Sequence, residues 1–345
     1  MGNGVDLDRF ISSQQFRFAY KSLADDKKTA YSAVLRGYLG FECRISVYGV
    51  GADGIQDVLT AIRLDIPELF WVKENNVEYN VLMHGSCTVV PSYRFDEKTT
   101  IAMLAAMQSV ADSLQRSFFG LTEIDLQVAV HDYLVKHFLY GGEDGDYAYE
   151  ACGPLLYGIG VCEGVAKAYK YLCDRCGLRS IVVVGWAENH KGDQEESEPH
   201  AWNISEIGGA YYHQDVTFDA SLSDATIRYD YFNLSDDEIV VDHRFDRSHY
   251  PPCSASYGYY RKAGLYAASK SELKELVRKE YRPEQPLVFQ VPIIQEGEQE
   301  FRDRIMRIVG GAVPVLPGCR LPLTLVSNRS RGVYQVSFSE AKRDM

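Results

Sequence analysis

The segment from Gly158 to Asp219 most limits what this chain can become. It opens with Gly158-Ile159-Gly160-Val161-Cys162-Glu163-Gly164 and passes into a helical pattern. Val165, Ala168, Tyr169, Leu172, Cys173 and Cys176 recur at helical spacing, and Gly177 stands where a left-handed C-terminal cap falls. Cys162 is therefore expected at the N-terminus of a helix of about four turns. Unpaired N–H groups there carry partial positive charge, which favours thiolate over thiol. A cysteine is often only a small apolar core residue. That reading suits Cys173 and Cys176, which fall on the apolar stripe, and not Cys162 beside its glycines.

The same segment continues as strands. Ser180–Ala187 is a β-branched run and reads as a buried strand. Glu188–Pro199 carries five acidic residues and is expected to be a solvated loop, with a border of the substrate cleft next to His200 as the alternative reading. His200–Ile207 and Ala210–Phe218 flank Gly208-Gly209, a hairpin signal. With those glycines as the turn, the numbers of opposing partners sum to 417, so Asp215 faces Trp202 and Thr217 faces His200. His200 and Asp215 are then diagonal neighbours on one face, roughly 7–8 Å apart at the backbone. A carboxylate there can fix the imidazole tautomer and stabilise its protonated form. The imidazole can in turn serve as base for a thiol.

These three pieces, GVCEGVAKAY, HAWN and DVTFD, resemble the transglutaminase-like superfamily, a branch of papain-like thiol chemistry. Thr122–Leu139 is similar to the helix that precedes that domain in bacterial members. Tyr231–Ile239 and Asp242-His243 are similar to its continuation. The resemblance covers roughly residues 120–260 and implies Cys162 as nucleophile, His200 as base and Asp215 as orienting acid. It implies acyl transfer on amide or peptide substrates through a thioester, as a cysteine peptidase or amidase. The alternatives are a protein-glutamine transglutaminase with an amine acceptor, and a non-catalytic protein- or cell-wall-binding module on the same fold. The backbone N–H of Cys162 is the expected oxyanion donor. No glutamine of the papain type stands in Pro154-Leu155-Leu156-Tyr157, which leaves Tyr157 as a weak second donor.

Composition sets outer bounds. A net charge of −12 disfavours non-specific nucleic-acid binding, which needs a basic footprint. The eight cysteines are scattered through 345 residues, unlike a small disulfide scaffold. Cys173-x-x-Cys176 has no second pair at zinc-finger spacing, and Gly141–Asp146 lacks the ligand spacing of an EF-hand. No metal or other cofactor is expected. No run of eighteen apolar residues exists, so no membrane span is expected. Met1–Asp6 is polar and reads as no signal peptide. An extracytoplasmic or cell-surface location is the expectation if an export signal has been trimmed, with a protein or peptide substrate associated with the cell wall.

The fold class expected is α+β. A papain-like core, with a helix-start cysteine packed on an antiparallel sheet, spans 121–265. An N-terminal α+β accessory domain spans 1–120 and a small C-terminal α+β domain 266–345. In the first, Asp25–Leu39, Asp53–Leu64 and Glu97–Phe118 read as helices. Phe41–Val50 reads as a strand, and Val77–Met83 with Ser86–Phe95 as a hairpin about His84-Gly85. In the last, Ser269 caps a helix with Glu272 at the capping-box position. The strands Leu287–Val291, Leu321–Val326 and Val333–Phe338 and a helix Glu298–Val309 complete it.

Overall fold

The computed structural model describes residues 16–79, 85–145, 147–189, 196–224, 226–293, 297–313, 319–320, 322–339 and 342–343. It is α+β. The first strands are β1 (Ile45–Tyr48), β2 (Val72–Tyr79) and β3 (Ser86–Tyr93), joined antiparallel in the order β1-β3-β2. Helices Asp25–Leu39, Ala52–Asp65 and Glu97–Ser117 accompany them. Asp96 starts the last of these by accepting from the Thr99 N–H. The expected pairing of β2 with β3 holds, with Val77 opposite Val89. His84, at the expected turn, lies outside the described residues.

Helix Glu123–His137, capped by the Thr122 hydroxyl, leads to β4 (Leu139–Tyr140). β4 pairs in parallel with β5 (Ile159–Gly160), so Tyr140 stands opposite Gly160. The central sheet follows: β6 (Arg179–Asn189), β7 (Glu196–Ile207), β8 (Ala210–Gln214), β9 (Phe232–Leu234) and β10 (His243–Arg244). Its order is β10-β6-β7-β8-β9, and every neighbouring pair is antiparallel.

Alternation along β6 and β7 turns Val182, Val184 and Ala201 towards Ala166 of helix Cys162–Cys176, which lies on this sheet. The same helix buries Val165, Tyr169 and Leu172 in one apolar cluster with Tyr31, Val34 and Trp71 of the N-terminal region. Each large side chain so buried contributes about 1.5–3 kcal/mol, and the two regions therefore share a core.

The C-terminal region has its own cluster, built on Leu273, Phe289, Ile305 and Val336. Its strands are β11 (Leu287–Gln290), β12 (Cys319–Arg320), β13 (Leu323–Asn328), β14 (Val333–Phe338) and β15 (Lys342–Arg343). β14 sits between β11 and β13. Ser269 caps helix Lys270–Glu280 as expected, accepting from the Glu272 N–H.

Two local expectations fail. The strand after Gly208-Gly209 ends at Gln214 instead of continuing to Phe218. Val216–Leu222 is a helix whose N-cap is Asp215, with its Oδ1 accepting from the Phe218 N–H at 3.0 Å. The pairings Asp215–Trp202 and Thr217–His200 therefore do not occur. Within the true hairpin the register is the expected one, from Asn203–Gln214 to Ile207–Ala210. The second failure is the acidic loop. β6 extends to Asn189 and β7 begins at Glu196, so Glu188 pairs with Ser197 and only residues 190–195 fall outside the described strands.

Candidate active site

Cys162 is the first residue of its helix, after the extended N-cap Val161. The segment 147–150 pins this helix start. The Val161 N–H donates to the Ala148 carbonyl at 3.0 Å. Gly164 runs so close to the same carbonyl that a Cβ would stand 2.2 Å from its oxygen. One turn further on, the Lys167 ammonium donates to the Tyr149 carbonyl at 3.2 Å and to Glu150 at 2.8 Å, and pairs with Glu163 at 3.0 Å. A fixed helix start fixes the thiol, which is half-buried. Gly158, in the left-handed region at φ 66°, turns the chain into β5.

His200 and Asp215 meet directly. His200 Nε2 donates to Asp215 Oδ2 at 2.7 Å, with the carboxylate fully buried. The sulfur of Cys162 lies close enough to the same imidazole for its charge to act on it. With Nε2 held by Asp215, Nδ1 is the nitrogen left for the thiol. Burial pushes the His200 imidazole down. The Asp215 carboxylate and then the Cys162 sulfur more than offset this and hold it up at about 10. Burial alone would raise the Asp215 carboxyl. The charge of His200 and hydrogen bonds from His200 and His243 outweigh it and keep Asp215 well below the usual carboxylate range.

The structure thus brings together all three residues singled out in the sequence, although the route to Asp215 differs. As a helix cap, Asp215 has one oxygen on the Phe218 N–H and the other on His200. Residues the sequence did not single out complete the surroundings. His243, from β10, donates from Nε2 to the same Asp215 Oδ2 at 3.1 Å. The only sequence signal for it was the Asp242-His243 pair. His213, on β8, accepts from the Trp202 indole at 3.0 Å and bonds Asp236 at 2.9 Å. Burial pushes its imidazole down to about 4. His213 therefore holds Trp202 in place and does not touch Asp215.

An open cleft of about 1000 Å³ runs past His200. Tyr140, Glu143, Glu188, Glu198 and Phe218 line it, and Asn328 and Arg329 come from the C-terminal region. Cys162 is not in the lining, whereas His200 and Tyr140 are. The Tyr140 phenol is pushed up to about 12 by burial and then by the charge of Cys162, Glu143 and Glu198. Tyr157, the sequence candidate for a second oxyanion donor, stacks on Tyr147 at 4.2 Å and does not line the cleft.

Among the described residues, two clusters have three potential metal-ligating atoms within 4.8 Å of one another: His200, Asp215 and His243, and His213, Asp236 and Cys253. Their closest nitrogen–oxygen separations, 2.7 Å and 2.9 Å, are hydrogen-bond lengths. Two ligands of a tetrahedral zinc stand about 3.3 Å apart. Both clusters fit protons between their atoms better than an ion.

No family model matches the chain, and no curated protein matches it. Solved structures with partial similarity include a protein from Cytophaga hutchinsonii provisionally designated a cysteine protease, at 14% identity, TM-score 0.28, covering 42% of this chain and 61% of that one. Another is described as a TGase, at 15% identity, TM-score 0.30, covering 50% and 51%. A third, from Parabacteroides distasonis and provisionally designated a protease, has 7% identity and TM-score 0.27, covering 74% and 55%. The chain spans less than two thirds of each. The fold itself is α+β, with a helix-start cysteine packed on an antiparallel sheet.

Proposed function

We propose that the protein is a thiol-dependent acyl-transfer enzyme acting on amide or peptide substrates, with Cys162 as nucleophile, His200 as acid–base and Asp215 as the residue that orients His200. The observation that carries this reading is the imidazole of His200, bonded to the Asp215 carboxylate and set near the Cys162 sulfur at the edge of an open cleft. The Cys162 sulfur attacks the carbonyl carbon, and His200 gives its proton to the leaving amine as the C–N bond breaks. Water then attacks the thioester, His200 takes a proton from it, and the acid leaves with the thiol restored. Hydrolysis is the leading reading. The backbone N–H of Cys162, at the helix start, is the proposed oxyanion donor.

An amine acceptor in place of water is the second reading. It is favoured by Glu143, Glu188 and Glu198 along the cleft, which would attract a cationic amine. Incubation with an unbiased peptide library, with and without a primary amine, separates the two. Cleaved peptides support hydrolysis and amine-bearing adducts support cross-linking. Neither product from wild type, with Cys162→Ser indistinguishable from it, would refute catalysis.

A further inference from the structure

The three proposed catalytic residues are the start of a longer buried chain. Asp215 Oδ2 accepts from His200 at 2.7 Å and from His243 Nε2 at 3.1 Å. His243 Nδ1 bonds Asp242 Oδ1 at 2.7 Å, and the Tyr231 hydroxyl donates to Asp242 Oδ2 at 2.8 Å. Arg331 ends the chain. Its guanidinium bonds the same Asp242 Oδ1 and the Glu238 carbonyl, and lies 4.5 Å over the Tyr231 ring. His243, Asp242 and Arg331 are all buried.

Arg331 belongs to the C-terminal region. It sits in the short turn between β13 and β14, and Gly332 behind it is left-handed at φ 64°. Asn328, in the same turn, donates to Asp230 at 2.9 Å and lines the cleft with Arg329.

From this geometry we infer that Arg331 is a positioning residue for the Cys162–His200 pair, so that the C-terminal region completes the active site. This rests on the acyl-transfer reading of the site. Both ring nitrogens of His243 face carboxylate oxygens, so the ring is held from both sides. His200, Asp215, His243, Asp242 and Arg331 thus form one continuous buried row of hydrogen bonds that ends beside Cys162. Each buried charge is compensated by its neighbours. Arg331 compensates Asp242, and Asp242 fixes the His243 ring through Nδ1. His243 in turn holds Asp215 Oδ2 in line with His200. A bond serving only to dock two regions would not need the carboxylate oxygen that His243 already uses.

The test uses the full chain and no substrate. Cys162 alkylation by iodoacetamide is followed across pH by peptide mass spectrometry in wild type, Arg331→Gln, Arg331→Lys and Asp242→Asn, with thermal melts alongside. Arg331→Gln and Asp242→Asn are expected to slow Cys162 alkylation at neutral pH by roughly tenfold and to displace its pH profile. Arg331→Lys should restore most of the rate, and exposed Cys43 should react alike in all four. A folded Arg331→Gln with the wild-type profile overturns the inference. If Arg331→Gln does not fold, the isosteric Asp242→Asn decides by the same criterion. A wild-type Cys162 no more reactive than Cys43 removes the acyl-transfer reading and this inference with it. That result is distinct from an active wild type unaffected by Arg331.

Discussion

Asparagine at position 215 would keep the shape of the side chain and remove one negative charge from beside His200. The carboxylate lies 2.7 Å from His200 Nε2 and is shielded from water. Burial pushes the imidazole down, yet with Asp215 and then the Cys162 sulfur beside it the ring is held at about 10, against an ordinary 6.5. That gap corresponds to about 5 kcal/mol in favour of imidazolium, most of it supplied by Asp215. Without the charge, burial remains and the midpoint should fall to the ordinary value or below it.

The assay is a titration of imidazole nitrogens by NMR, with His200→Gln identifying the signal. Wild type is expected to titrate near 10, and Asp215→Asn roughly three pH units lower or more. The consequence for stability has a definite sign. A raised folded-state value contributes fully below 6.5, and the contribution is lost as pH rises from 6.5 through about 10. Asp215→Asn should lack that loss. A midpoint in the variant within about one unit of wild type would refute the reasoning.

Three further outcomes follow from single contacts. Gly164→Ala drives a methyl group into the Ala148 carbonyl, so it should cost about 1–3 kcal/mol in a urea melt and slow Cys162 alkylation by moving the helix start; unchanged values for both would contradict the pinning described. Lys167→Met removes the buried ammonium between Glu150 and Glu163, which keep Arg94 and Arg63 as partners, and should cost about 1.5–3 kcal/mol, read from the same melts. His213, held down at about 4 by burial, contributes stability that is full above 6.5 and lost as pH falls towards 4. Wild type should therefore lose about 3 kcal/mol over that window that His213→Gln does not, and superimposable acid limbs would count against it.

The chain's own signals reached far into the site, and the places they failed have physical causes. The helix from Cys162 to Cys176 was legible because glycines bracket it and its apolar period is regular. The hairpin register was legible because Gly208 and Gly209 both take positive φ, as a two-residue turn of this kind requires. Past Gln214 the reading failed. Val216-Thr217-Phe218 has the composition of a strand, but Asp215 turns its carboxylate onto the Phe218 N–H and starts a helix. Capping overrode β propensity. Asp215 still reaches His200, because one carboxylate has oxygens for both partners. His243 was hidden because its approach depends on β10 pairing with β6, where His243 stands opposite Ala187. Arg331 was hidden further, since it comes from the C-terminal region, which has its own apolar cluster, and meets Asp242 across 89 residues of sequence.

The most direct test of a thiol activated by its histidine compares the cysteines within one molecule. Wild type and His200→Ala are treated with a small amount of iodoacetamide at about pH 6, where an ordinary thiol reacts slowly, and each cysteine is read by peptide mass spectrometry. Cys162 should be alkylated ahead of exposed Cys43 in wild type and lose that lead in His200→Ala. Equal alkylation of Cys162 and Cys43 in wild type, or a lead that survives the loss of His200, would contradict it.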